Sequence, residues 1–202
     1  MIKLYLIRHG ETEWNLKHKY QGSTDVPLND IGKKQALAIA NRMEKYEIDA
    51  IYSSDLSRAY ETANCIGNIK KLKVKVLPQL REINFGEWEG YTSSELKKIY
   101  GEEYKKFLLE PHKYTFPGEG SLKAVQMRLK EAIKIITSEH SSGNFIIVSH
   151  GAALKILIMT LLNIDLSLYR KFWLGNVSLS IIEKKDNDDW ILSLLNDTSH
   201  LY

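Results

Sequence analysis

Apolar and polar positions along the chain follow two rhythms in turn. Residues 2–7 are apolar apart from Lys3, the pattern of a strand covered on both faces. PLNDIGKKQALAIANRMEKY (27–46) repeats at helical spacing instead. It places Ile31, Ala36, Ile39, Ala40 and Met43 near one face, with Asn29 or Asp30 as N-cap. AIYSS (50–54) predicts a second strand, DLSRAYETANCIGNI (55–69) a second helix and VKVL (74–77) a third strand. Residues 92–110 predict one or two short polar helices. SLKAVQMRLKEAIKIITSE (121–139) predicts a strongly amphipathic helix, with Leu122, Val125, Leu129, Ile133 and Ile136 in register. FIIVS (145–149) predicts a fourth buried strand, followed by a helix from Gly151 to about Leu162. VSLSIIEKK (177–185) and WILSLL (190–195) flank Asp186-Asn187-Asp188-Asp189, the signature of a hairpin.

Strands that alternate with helices imply an α/β fold. The expected form is a three-layer αβα sandwich on a mostly parallel sheet, with antiparallel edge strands from the final hairpin. No long-period repeat, low-complexity tract or Gly/Ser linker interrupts the chain. One domain over residues 1–202 is the simplest organisation.

Composition narrows the function classes. The net charge of +3 is too small for the footprint of a nucleic-acid binder. The basic run Lys70-Lys71-Leu72-Lys73-Val74-Lys75 reads as the solvated face of a strand and its lead-in. A single cysteine, Cys65, excludes an internal disulfide, fits a reducing compartment and reads as a buried structural thiol. No signal peptide is visible, and the longest apolar stretch, LKILIMTLL (154–162), is too short to span a bilayer. A cytoplasmic protein without membrane or nucleic-acid partners is expected.

Open α/β sheets bind ligands at the carboxyl ends of their strands. After the first strand come Arg8 and His9. After the second come Ser53, Ser54 and, one helical turn on, Arg58. After the third comes Arg81-Glu82, and after the fourth His150-Gly151. The device of an apolar run ending in His-Gly occurs twice, in LIRHG and IVSHG. An Arg-His pair at the end of a buried strand is costly unless compensated. A bound phosphate, helped by backbone N–H groups at Gly10 and beyond, would compensate it. Two imidazoles, at least two guanidiniums and one carboxylate suit a phosphoryl dianion. A neutral imidazole is also a competent nucleophile.

LIRHGETEWN (6–15) resembles the Arg-His-Gly signature of the histidine phosphatase superfamily, the phosphoglycerate mutase-like family. YQGSTDVPLNDIGKKQA, IYSSDLSRAYETA, LREINFGEWEG and VSHGAALK are similar to its successive motif blocks, in order, over nearly the whole chain. The resemblance implies that His9 is the nucleophile that becomes phosphohistidine. It implies that Arg8, Arg58 and a protonated His150 bind phosphoryl oxygens, and that Asn15 adds a hydrogen bond. Glu82 is the implied general acid and then base. Gln21, Gly22 and the Gly151 backbone are implied to line the pocket. No metal and no cofactor are expected. His9 must be neutral to attack, so a backbone carbonyl is expected to fix its tautomer. Glu82 must start protonated, against a free value of about 4.3, and a dianionic substrate beside it would raise its pKa.

Within the family the chain leans to the phosphatase branch. The segment after Glu82 is short, and no arginine occurs between Arg81 and Arg128 where mutases present arginines to a glycerate carboxylate. A small helical lid is expected at about residues 84–120. It holds eight aromatic residues: Phe85, Trp88, Tyr91, Tyr100, Tyr104, Phe107, Tyr114 and Phe116. These rings either face a bulky leaving group or simply pack the lid. The overall pattern most resembles the α-ribazole phosphatases of cobalamin assembly. A broad-specificity or phosphoserine phosphatase, a phosphoglycerate mutase and a non-enzymatic phospholigand binder stand as alternatives. FPGEGSLKAV (116–125) departs from the Pro-Gly-Gly-Glu-Ser arrangement of the phosphatase branch, which leaves a role for Glu119 open. His200 is read as exposed and idle or folded back to the pocket mouth, and Trp14 and Trp173 as packing residues. The expected partner is a small phosphorylated metabolite, with the protein a monomer or homodimer.

Overall fold

The computed structural model describes residues 1–116, 120–185 and 189–202. Six strands form one sheet in the order β3-β2-β4-β1-β5-β6. They are β1 (Ile2–Arg8), β2 (Ala50–Ser53), β3 (Val74–Val76), β4 (Gly143–Ser149), β5 (Leu179–Lys184) and β6 (Trp190–Asp197). The first four run parallel, while β5 and β6 are antiparallel and make one edge. Of the expected hairpin turn, residues 186–188 lie outside the described residues.

Continuous apolar strands demand cover on both faces, and alternate side chains show where each goes. Leu4, Leu6, Tyr52, Phe145 and Ile147 point to one side. There α5 (Leu122–Glu139) and α6 (Gly151–Leu161) cover them. Tyr5, Ile7, Ile51, Ile146 and Val148 point to the other, against α2 (Asp30–Met43) and α3 (Ser57–Lys70). The predicted core face of α2 is present except for Ile31, which is 50% exposed. Ile31 stands in the first turn, before the helix meets the sheet. Asn29 caps α2 by accepting from the Gly32 N–H at 2.7 Å. Cys65 is half-buried rather than buried, at the rim of the α2–α3 core, and partial burial pushes its thiol pKa up. In the basic run, Lys70 donates to the carbonyls of Glu44 and Tyr46, and Lys75 pairs with Glu139 at 2.6 Å.

A short helix, α1 (Glu13–Leu16), follows β1, and α4 (Ser93–Leu109) builds the lid. Gly101, at φ 37°, breaks α4 into two helical pieces. The lid's aromatic residues answer the question the sequence left open. The Trp88 ring has centroids of Tyr104, Phe107, Tyr114 and Phe116 within 5.6 Å. These rings fuse the lid to the core under α5 and α6. Seven of the eight pack or face solvent, and only Phe85 reaches the cavity described next.

Candidate active site

The register of the sheet assembles the site. Arg8 pairs with Ser149, so the residues that follow, His9 and His150, leave the sheet side by side. Their ring centroids are 5.2 Å apart. Ser53 pairs with Val148, and the next residue, Ser54, places Oγ 2.9 Å from His150 Nε2. These strand ends open on a cavity of about 360 Å³, at the small end of the range for small-molecule sites.

His9 is held as a neutral ring. Its Nδ1 donates to the Gly10 carbonyl at 2.7 Å, which places the proton there and the lone pair on Nε2. Nε2 has no partner among the described residues and opens on the cavity. Burial, then Arg58 and Arg8, keeps the pKa of His9 well below the usual imidazole range. The backbone is pinned too. The His9 N–H donates to Ser149 O at 3.0 Å, and Asn176 Nδ2 donates to His9 O at 3.0 Å. One expectation is corrected here: the N–H groups of Gly10, Glu11 and Thr12 do not face a ligand. They donate to Thr62 Oγ1, Gln35 Oε1 and Asn15 Oδ1. The loop packs against α2 and α3, and a buried loop must satisfy its own donors.

Two guanidiniums wall the same cavity. Arg58 is fully buried in the first turn of α3, donating to the carbonyls of Gly22 and Thr24 at 2.8 Å. Burial lowers its pKa to about 10, while Glu82, Asp25 and Glu89 support the charge. Arg8 donates from Nη1 to Leu174 O at 2.7 Å. Arg8 Nε, Arg58 Nε and His150 Nδ1 are buried without partners. Unpaired buried donors are costly, and the two guanidinium donors in the cavity wall mark an anion site, with His150 behind the wall next to His9.

His150 departs from expectation. Complete burial, reinforced by Arg58, His9 and Arg8, holds its pKa well below the usual value, so the free site keeps it neutral rather than protonated. It can still donate. Ser54 Oγ accepts from the Leu56 N–H, and its hydroxyl hydrogen has His150 Nε2 as its acceptor. The ring proton then sits on Nδ1.

Glu82 lines the cavity from the loop after β3. Its carboxylate accepts the N–H groups of Ala152 and Ala153 at the start of α6, both at 3.0 Å, and that of Ile83 at 2.9 Å. Arg128 of α5, which sequence reasoning missed, grips this loop. It donates to the carbonyls of Gln79, Arg81 and Glu82 at 2.7, 2.8 and 3.2 Å. Arg81 faces away, its Nε on Asp55 Oδ1 at 2.7 Å, and adds nothing to the cavity.

The remaining residues named from sequence also line the cavity: Asn15, Gln21, Gly22 and Gly151. Asn15 Oδ1 accepts from Thr12 and Asn176, which leaves its amide NH2 to offer. Gln21 Oε1 accepts from Thr12 Oγ1 at 2.9 Å. Gly22 is at φ 55°, and a Cβ there would stand 2.0 Å from Glu89 Oε1. A Cβ on Gly151 would stand 3.4 Å from Arg8 Nε. Missed residues include Tyr20, Lys155, Tyr169 and Trp173. Trp173 is 74% exposed, with the Arg8 guanidinium 5.9 Å from its ring, so it is a rim residue and not a packing one. Of these, only Lys155 carried a local signal, one helical turn beyond His150-Gly151. Trp14 packs on Gly90, away from the cavity. His200 is neither idle nor at the mouth: its Nδ1 lies 3.2 Å from Arg42 on α2. Glu119 lies outside the described residues. Among the described residues no group of three His, Cys, Asp or Glu side chains is placed to hold a metal ion. No helix there is long and apolar enough to cross a membrane.

Fold and site together define a phosphate-handling α/β protein with a histidine presented to an anion pocket. Residues 4–198 match the model of the histidine phosphatase superfamily (branch 1), and the chain belongs to that family. Phosphoserine phosphatase 1 of Hydrogenobacter thermophilus is 37% identical over 201 residues, covering 100% of this chain and 95% of that protein. The crystal structure of phosphoserine phosphatase from Entamoeba histolytica with 3-phosphoglyceric acid is 36% identical. It superposes with a TM-score of 0.88, covering 100% of both chains. The α-ribazole phosphatase of Shigella flexneri is 28% identical with a TM-score of 0.86, covering 97% of this chain and 96% of that one.

Proposed function

We propose that this protein is a phosphatase that hydrolyses small phosphate monoesters, without a metal, through a phosphohistidine on His9. One observation carries the reading. The lone pair of a neutral, tautomer-fixed His9 opens on a cavity walled by two buried guanidiniums and one carboxylate.

In the proposed reaction Nε2 attacks phosphorus while the ester P–O bond breaks. The leaving oxygen takes a proton from Glu82. Arg8, Arg58, Asn15 Nδ2 and His150 Nδ1–H hold the three phosphoryl oxygens, where charge stabilisation dominates the rate. Water then gives its proton to Glu82 and attacks phosphorus, the P–N bond breaks, and His9 and phosphate are released.

An aromatic lid favoured α-ribazole 5′-phosphate, but the lid rings pack among themselves. The small cavity and the phosphoserine phosphatase relatives support a compact phosphomonoester instead. Phosphate release in EDTA from phosphoserine, 3-phosphoglycerate, α-ribazole 5′-phosphate and p-nitrophenyl phosphate tests the proposal, with His9→Ala as blank. Release from a small ester far above the blank is expected. No release, together with 2,3-bisphosphoglycerate-stimulated transfer between phosphoglycerates, would replace hydrolysis by a mutase.

A further inference from the structure

The phosphate end accounts for Arg8, His9, Arg58, Glu82 and His150. It leaves two lysines in the cavity wall without a task, Lys19 and Lys155, of which Lys19 lies 6.0 Å from the ring of Trp14, a residue outside that wall. Lys155 is half-buried on α6, and among the described residues its Nζ makes no hydrogen bond or ion pair. It stands 3.7 Å from the centroid of the Tyr169 ring, which is itself buried and lines the same cavity. Arg8 and Arg170 add positive charge around it, opposed by Glu82. Burial is the main reason its pKa falls to about 8. A cation lodged among cations, with an aromatic face for support, is a site for an anion.

Its position sets which anion. Gly151, where an added Cβ would stand 3.4 Å from Arg8 Nε, lies four residues before Lys155 on α6. Four residues are one helical turn, a rise of about 6 Å, and helical side chains lean back toward the N-terminus. Lys155 therefore reaches toward the phosphate end from one turn away, across the span of a three-carbon chain. The lid offers no arginine to such a group.

We infer that Lys155, seated on Tyr169, is a specificity-determining subsite for a carboxylate carried by the substrate next to its phosphate ester. This rests on the phosphatase reading above and narrows it to phosphorylated small carboxylic acids. A structural role for the lysine stem against Tyr169 would give stability but no preference between ligands.

The test compares 3-phosphoglycerate with glycerol 3-phosphate, which has the same three carbons but a hydroxymethyl in place of the carboxylate. Dissociation constants are measured by calorimetry on His9→Ala protein, which blocks turnover. The same is done with Lys155→Met, Lys155→Arg or Lys19→Met added. The expected result is at least tenfold tighter binding of the carboxylate ligand. That ratio should fall to near one in Lys155→Met and return in Lys155→Arg. A ratio near one without any lysine change overturns the proposal. So does a ratio that survives Lys155→Met, or one that collapses only in Lys19→Met. Phosphate release from both esters by the His9 protein separates the two readings. Absence of hydrolysis with the expected binding ratio removes the phosphatase and leaves the subsite. Hydrolysis of both esters with no ratio does the reverse.

Discussion

Oε2 of Glu82 lies 3.0 Å from the backbone nitrogen of Ala152. The proposed proton donor is thus held by the helix that begins beside His150, and its distance to the reacting oxygen is set by α6. If it protonates the leaving group, Glu82→Gln should slow esters with poor leaving groups, such as phosphoserine, by about 100-fold or more. p-Nitrophenyl phosphate, whose leaving group needs no proton, should lose far less. Equal losses on both substrates would remove Glu82 from the acid role.

Arg128 holds the carbonyls of Gln79, Arg81 and Glu82 in the loop that ends in Glu82. A lysine is a point charge and cannot replace that fork. Arg128→Lys should lower kcat by about tenfold to 100-fold, because small displacements of a reacting group are costly. KM for p-nitrophenyl phosphate should stay near the starting value. A large rise in KM with kcat intact would show that Arg128 acts on binding instead.

Both site histidines are held well below the ordinary value of 6.5 by burial and neighbouring guanidiniums. The sign follows from proton counting. Below about pH 6.5 the unfolded chain binds protons at these rings and the native protein does not. Stability is therefore full above that pH and lost as pH falls, by up to about 1.4 kcal/mol per pH unit for each ring. Thermal midpoints between pH 5 and 8 should fall on the acid side, and His150→Gln should flatten the fall. An unchanged slope would contradict a neutral, buried His150.

Gly22 takes a left-handed conformation with no room for a side chain before Glu89. Glu89 cannot swing aside freely, since it accepts the N–H groups of Ser23, Thr24 and Phe85. Gly22→Ala should cost about 1–3 kcal/mol, visible as a Tm loss of roughly 2–4 °C per kcal/mol. Because the Gly22 carbonyl holds Arg58, phosphate affinity should fall as well. A variant with unchanged Tm and affinity would show that the loop has another relaxed path.

The α/β alternation and the phosphate end of the site were legible because both are local. A strand buried on two faces must read as a continuous apolar run, so Arg8-His9 and Ser149-His150 stand out at the ends of β1 and β4. Helical periodicity likewise marked α5, whose expected core residues are all buried. Tertiary structure decided the rest. Only the register of β1 on β4 brings the two imidazoles to 5.2 Å. Only burial among guanidiniums makes His150 neutral, since charge state depends on surroundings and not on residue type. Lid aromatics carry the same letters whether they face a ligand or one another, and it is the packing around Trp88 that turned them inward. Tyr169 and Trp173 reach the cavity from a segment whose local pattern says nothing of it. A side chain's partner across the fold is not encoded in its neighbours along the chain.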